Sequence, residues 1–392
     1  MITIPTINQL YTAILGDLQA SFGSPVPLFG KNFLRMLAGV QAGKLKLYYL
    51  AIANLQKNIF VDTAEPVASG GTLERFGLIK LGRNPFPAQA GQYVILITGT
   101  AGSTVPAGMT FKSNDDSISP GMLYVLDVAH NLIATSDSIT VRALVGGNGS
   151  KLVAADKLTA TAPIAGVDAL AVVGSEAIQP LDAENLEDYR QKAIDAYRLE
   201  PQGGAASDYR LWAFDVPGVQ QTYPYAKTGA ANEINLFVEA IAGGSTDGKG
   251  TPSPAMLAAV QAVIEFDPDT SKPLNERGRR PLGVFAVHYL PVTIKTIDVV
   301  IYGFVGLTPA IQALIFTALQ NRVNLIRPFV AAADVVANKN DIFDINQIVS
   351  IILLTRPGSQ FGVVSFSVNG VAQTSWQFIN GDIPYFNSVT YA

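Results

Sequence analysis

The sequence predicts a multidomain α+β fold, with amphipathic helices at the N-terminus, a β-rich middle and sandwich-like α/β domains towards the C-terminus. Three observations carry this expectation. Apolar residues recur at three- and four-residue spacing through roughly the first sixty positions. Short β-branched and aromatic runs, punctuated by Gly and Pro, fill about the next hundred. Strand and helix patterns then alternate. At 392 residues the chain exceeds one ordinary core. The expected division is a helical assembly segment over 1–62, a short helix plus β-rich domain over 63–178, a helical hinge over 179–218, an α/β domain over 219–305, and a terminal helical and β domain over 306–392.

The first helix is read from Ile7, Leu10, Tyr11, Ile14, Leu15, Leu18 and Phe22, one apolar face that Thr6 can cap. Gly23, Pro25 and Pro27 break it. A second helix is expected over Lys31 to Phe60, carrying Phe33, Leu34, Leu37, Val40, Leu47 and Leu55. Gly39 and Gly43 weaken it and mark either a bend or a close helix contact. Two such helices cannot bury their faces alone. An intramolecular hairpin and a bundle shared with neighbouring chains both satisfy the pattern. Leu10, Ile14, Leu18, Phe33, Leu37 and Leu55 are the candidate intersubunit face.

Glu65 to Asn84 reads as a short helix around Leu73, Phe76 and Ile79. Strands are expected at Gln92–Thr98, Leu123–Val128, Ile139–Ala143 and Leu158–Ala162. Asp182 to Val219 then holds a compact set of signals. Asp182, Glu184, Glu187 and Asp188 lead into a helical stripe, as a helix N-terminus favours. Pro201, Gly203 and Gly204 stop it. Asp208, Tyr209, Trp212 and Ala213 form a second short helix, and Pro217–Gly218 turns out of it. Trp212 is expected in the core. Beyond this hinge come strand patterns at Val219–Pro224, Ile234–Ile241, Val284–Leu290 and Val292–Tyr302. Helices are expected at Pro254–Phe266, Pro309–Ile326 and Ile342–Leu354, then a strand at Gly362–Val368 and a turn at Asn369–Gly370. Trp376, Phe378, Tyr385, Phe386 and Tyr391 crowd the end, which implies that it packs on something.

Only 15% of residues are charged, against 48% apolar. That is well below the usual quarter. No run approaches the roughly 18 apolar residues of a spanning helix. The first residues also lack the basic n-region of a signal peptide. The expectation is a protein made in the cytoplasm, without membrane insertion, whose surface is largely covered by other subunits. A net charge of −4 and a single tight basic cluster, Arg277, Arg279 and Arg280, argue against nucleic-acid binding. With no cysteine, thiolate metal sites and cysteine nucleophiles are excluded.

The segments that imitate chemistry each miss a requirement. Gly243, Gly248 and Lys249 approach a phosphate loop, but Gly250 stands where Ser or Thr must ligate magnesium. Asp267 to Ser271 starts like a calcium loop without its later glycine and glutamate. His130 and His288, the two histidines, stand in no zinc motif. No catalytic, cofactor-binding or metal residue is assigned, and the chain is not expected to be an enzyme.

The hinge resembles the baseplate J-like family of contractile phage tails and related injection systems. The residues that carry the resemblance are Glu184 to Arg190, Gly203–Gly204, Asp208–Tyr209, Trp212–Ala213 and Pro217–Gly218–Val219. Thr72 to Gly77, Arg83, Gly91, Val105 to Gly108, Gly146–Gly147–Asn148 and Arg280–Pro281–Leu282–Gly283 follow the same order. The structural fingerprint is thus Arg190, Gly203, Gly204, Asp208, Tyr209, Trp212, Pro217 and Gly218. The loop from Pro268 to Arg277 is longer than the family pattern, and residues 1–60 and 360–392 lie outside it.

The resemblance implies a structural wedge protein that acts without cofactors in the baseplate of a virion or phage-tail-like particle. It would link wedges into a ring around the central hub and tube and transmit the trigger for sheath contraction. Its implied partners are a second copy of itself, a smaller wedge protein, neighbouring wedges, and hub, tube or sheath-proximal proteins. Two other readings of the residues stand beside it. One is a carbohydrate- or surface-binding module, from the β-rich domain and aromatic end. The other is a nucleotide-binding enzyme, from Gly248–Lys249.

Overall fold

The structure, a computed structural model, describes residues 3–22, 33–199 and 203–392. The expected break at Gly23, Pro25 and Pro27, the helix start at Lys31 and the stop at Pro201 lie outside these residues, as does the Phe22 side chain. The fold is α+β and multidomain. It divides into two compact units: Met1–Asn84 with Tyr189–Tyr197, and Pro85–Asp188 with Arg198–Ala392.

In the first unit, α1 (Ile7–Phe22) opens on a reciprocal cap. Gln9 N–H donates to Thr6 Oγ1 at 3.2 Å, and Thr6 N–H donates back to Gln9 Oε1 at 2.8 Å. Helix α2 (Phe33–Lys57) packs against α1 as a hairpin. Lys46 Nζ donates to Pro5 O at 2.9 Å across the pair. The small residues of the contact are Ala38 and Ala42, the only fully buried positions of α2 among the described residues. The expectation for Gly39 and Gly43 is corrected here. A Cβ at either would meet nothing, and α2 runs through both without interruption. Helix α3 (Leu73–Leu81) ends on Gly82 at φ +72°, whose N–H donates to Leu78 O. Tyr189 to Tyr197 come from α4 (Leu186–Arg198), and Ala64, Leu73 and Tyr189 form a small core with Val61, Phe76 and Leu81.

The second unit begins with a closed antiparallel barrel, in the strand order β1-β6-β4-β3-β7-β8. Its strands are β1 (Gln92–Gly99), β3 (Thr110–Ser113), β4 (Leu123–Val125), β6 (Ser136–Ala143), β7 (Lys157–Ala160) and β8 (Val167–Ile178). The short β2 (Thr104–Val105) and β5 (His130–Asn131) pair beside it. Alternation on β1 sends Tyr93, Ile95 and Ile97 inward. Tyr93 and Tyr124 meet edge to face at 5.8 Å, and both hydroxyls donate to Ser150 O, at 3.2 and 3.0 Å. Burial pushes the Tyr93 phenol up to about 12. Side chains thus fill the barrel.

Next, α5 (Ala206–Ala213) and α6 (Pro254–Glu265) accompany a three-stranded sheet of order β11-β10-β9. Strands β9 (Val219–Ala226) and β10 (Glu233–Ala240) form a hairpin, whereas β11 (Ala286–Pro291) runs parallel to β10 after the α6 crossover. Ser253 caps α6, accepting from Met256 N–H, with Pro254 in the first turn.

The terminal sheet has the order β15-β14-β12-β17. Strand β12 (Thr293–Ile301) lies antiparallel to β14 (Val364–Val368) and parallel to β17 (Asp382–Tyr391). Asn369 and Gly370, at φ +49° and +78°, turn β14 into β15 (Val371–Gln373). Helix α7 (Pro309–Asn324), capped by Thr308, and α8 (Ile345–Thr355) share a core with this sheet. Phe378 and Phe386 are buried in that core, so the aromatic end packs within its own domain. The helix expected from Ile342 starts at Ile345. Ile342–Asp344 is instead β13, paired with β16 (Ser375–Gln377), and Asp344 caps α8 through Gln347 N–H.

Candidate functional site: glycine-locked joints and an apolar helical arm

The fingerprint residues fall into several local joints. In the first unit, Tyr189 lies over Gly77 of α3, where any Cβ would overlap its ring. The Tyr189 hydroxyl donates to Arg83 O at 2.7 Å, and the Arg83 guanidinium lies 5.6 Å from the ring centroid. Arg190 donates to Val61 O and Ala64 O, two carbonyls of the turn after α2. Gly77, Arg83, Tyr189 and Arg190 therefore form one device that pins α4 to the turn below the hairpin.

In the second unit, Asp182 holds the Gly146–Gly147–Asn148 loop. Its carboxylate accepts from Asn148 N–H at 2.8 Å and from Asn148 Nδ2 at 2.9 Å. Gly147, at φ +103°, brings the backbone close; a Cβ there would stand 2.8 Å from Asp182 Oδ1. At the end of the hinge, Gly218 (φ +82°) follows Pro217 and fits beneath Leu181 and Met256, which a Cβ would approach to 3.3 and 2.9 Å.

The Gly203–Gly204 step has the same logic. Both glycines have positive φ, +76° and +112°, and a Cβ on Gly204 would overlap Pro281. Two distant fingerprint pieces, the glycine pair and the Arg280–Pro281 turn, thus meet in space. Asp208, almost fully buried, accepts from Gly204 N–H at 2.6 Å. Tyr209 is buried, which pushes its phenol up to about 12. Arg210, next in sequence, is 4% exposed and ion-paired to Asp334.

Trp212 packs edge-on against Tyr209 at 5.3 Å but is only partly buried. The expected core position is corrected to the margin of the core. Trp212→Ala is expected to cost about 2 kcal/mol, below the ~3–5 of a fully buried aromatic site. Chemical denaturation checks this; an unchanged midpoint contradicts it.

The chemical look-alikes have local partners. Asp247 accepts from Lys249 N–H, Thr251 N–H and Thr251 Oγ1, and the Lys249 ammonium lies 4.5 Å from the Tyr385 ring centroid. The glycine-rich segment is thus an aspartate-organised turn. Asp267 pairs with Lys272 and Arg279, and Arg279 also reaches Asp215. Arg280 pairs with Glu265 at 3.1 Å. His130 lies 2.9 Å from Asp137, and His288 lies 2.7 Å from Glu233, which Lys227 also contacts.

The N-terminal face residues divide. Leu10, Ile14, Leu18 and Leu37 are half-buried, whereas Phe33 and Leu55 are 72% and 64% exposed. Met36, Val40, Leu47, Tyr48 and Ile52 are exposed as well. Helix α2 is therefore apolar well beyond the face it turns to α1, as a helix enclosed by others would be.

Residues 201–291 match the family model for the Baseplate J-like central domain. That interval thus carries a Baseplate J-like central domain. Among curated proteins it is similar to JayE of Escherichia coli (strain K12), 35% identical over 57 residues, 14% of this chain and 22% of that protein. It is also similar to the Mu-like prophage FluMu protein gp47 of Haemophilus influenzae, 26% identical over 174 residues, 44% of this chain and 46% of that protein. The chain thus spans less than half the length of the curated relatives it matches. Among solved structures, a chain of the anti-feeding prophage baseplate, determined by cryo-EM, aligns over 99% of this chain and all of that one at 12% identity and TM-score 0.43.

The Baseplate J-like interval contains the Gly203–Gly204 step, Asp208, Tyr209, Trp212, Pro217, Gly218 and Pro281. Arg190 and the Asp182–Asn148 clasp lie before it. Sequence reasoning missed the clasp, and it missed Asp334, which lies 124 positions from its partner Arg210. No local spacing signals either pair.

Proposed function

We propose that the chain is a structural, non-catalytic baseplate component of a contractile tail or related injection particle. The observation that carries this is the match of residues 201–291 to the Baseplate J-like central domain. In this reading it is a wedge protein that joins neighbouring wedges into a ring around the hub and tube and relays the trigger for sheath contraction. It is made in the host cytoplasm and built into the particle. The exposed apolar surface of α2 supports the assembly part of the reading, because an unassembled chain gains nothing from leaving so many large apolar side chains in water. Locked glycines at the joints suit a part that transmits force between domains. The arm would join a bundle with a second copy of the chain and a smaller wedge protein, while the other domains reach wedges and sheath-proximal proteins.

Co-production with the neighbouring tail proteins tests this. The intact chain is expected to purify in a stoichiometric complex. Loss of residues 1–60, or Leu47→Asp with Leu55→Asp, should release a folded chain from that complex. A complex that survives both changes contradicts the assembly role of the arm.

A further inference from the structure

Strands β9, β10 and β11 bring three titratable side chains together at one end of their sheet. Lys227 follows β9, Glu233 opens β10, and His288 of β11 pairs in register with Asn235, on the same face as Glu233. Lys227 Nζ donates to Glu233 Oε2 at 2.6 Å. His288 Nε2 lies 2.7 Å from the same oxygen and 3.1 Å from Lys227 Nζ. Two demands thus fall on one ring nitrogen. Its lone pair can accept from the Lys227 ammonium, or an N–H there can donate to Glu233, but not both at once. A proton taken up by His288 settles the competition. The imidazolium donates to Glu233 and sets a second positive charge 3.1 Å from Lys227.

Hydrogen bonds from Lys227 and His288 hold the Glu233 carboxyl below the usual range. Glu233 therefore stays ionised where histidines titrate, near pH ~6.5. Tyr225 of β9 shares this face of the sheet. Its phenol, pushed up to about 12 by burial, is neutral and donates to Phe329 O. Asp334, Arg210 and Asp341 act on that ring and not on Glu233. Helix α6 packs on the opposite face, where Glu265 accepts from Tyr289. Lys227 also anchors the turn into β10. Its N–H donates to Glu233 O at 2.9 Å, and the turn passes through Gly229 and Asn232, at φ +80° and +62°. Thr228, Gly229, Ala231 and Asn232 are exposed at the tip.

We propose that Lys227, Glu233 and His288 form a proton-operated latch on the β9–β10 turn. Neutral His288 leaves Lys227 fastened to Glu233. Protonated His288 takes Glu233 and frees Lys227, so the exposed turn loosens and presents a free cation to solvent.

Hydrogen–deuterium exchange of the full-length protein tests this, read over residues 226–233 between about pH 8 and about pH 5.5 and corrected for the intrinsic rate. Protection of the turn is expected to fall about threefold on acidification, the scale of one exposed ion pair. Buried Leu236 to Ala240 in β10 should keep its protection, which separates local release from general loosening. His288→Gln, which carries no titrating group, should abolish the response. Lys227→Met should reverse its sign, because protonation then only strengthens the contact between His288 and Glu233. A turn indifferent to pH, a response that persists in His288→Gln, or a Lys227→Met turn that still loosens in acid overturns the proposal.

Discussion

Asp334→Ala is expected to destabilise the second unit by about 3 kcal/mol, the largest effect of any single side-chain truncation considered. Asp334 forms the carboxylate side of the pair with Arg210, whose guanidinium is 4% exposed. Removing Asp334 leaves a buried cation that keeps a long hydrogen bond from its Nε to Thr222 O, at 3.4 Å. It also removes the acceptor for Val330 N–H, at 2.7 Å, which orders the loop after α7. Asp334 is itself 29% exposed, so water relieves part of the loss, and the estimate stays at the lower end of the range for broken buried pairs. The pair ties α5 to the terminal domain. Tyr225 reinforces it by donating to Phe329 O at 3.2 Å, and Glu239 by meeting both Tyr223, at 2.6 Å, and Arg327, at 3.2 Å. Urea denaturation of Asp334→Ala checks the figure. A shift of less than about 1 kcal/mol would show the pair to be dispensable.

Gly204→Ala should cost a similar amount, about 3 kcal/mol, for two separable reasons. At φ +112° an L-residue is strained by roughly 1–2 kcal/mol. Its Cβ would also occupy the place of Pro281, and displacing a packed ring adds about 1–3 kcal/mol. Pairing Gly204→Ala with Pro281→Ala separates the two contributions, because truncating Pro281 relieves the overlap and leaves the backbone strain. The double variant is expected to recover part of the loss. If Gly204→Ala alone is as stable as the parent, the close approach between the two fingerprint segments is not a constraint. Gly203, at φ +76° with nothing near its Cβ, should tolerate Ala with the strain cost only.

Where sequence and structure agree, the signal is local. Thr6 caps the helix it precedes, and Asn369–Gly370 turns one strand into the next, because each needs only residues a few positions away. Strands β8 and β17 escaped for the opposite reason. Val167–Ile178 is rich in alanine and interrupted by Gly174, so no alternation announces its pairing with β1. Asp382–Tyr391 contains Pro384 and a register shift opposite Ile297 and Asp298, features that read as loop in isolation. Only the partner strand β12 makes it a strand. At the joints, the glycines were legible but their neighbours were not. That Gly204 answers Pro281, and Gly147 answers Asp182, follows from the folded chain alone.

Tail particles produced with and without this chain test the central claim, that it is a built-in part of a baseplate, most directly. With a fluorescent or gold-labelled copy supplied in trans, electron microscopy is expected to place the label at one end of each particle, at the baseplate. Without the chain, assembled baseplates and sheathed tails should be absent, and complementation should restore them. Intact contractile particles lacking this chain, or a label found away from the particles, would contradict the account.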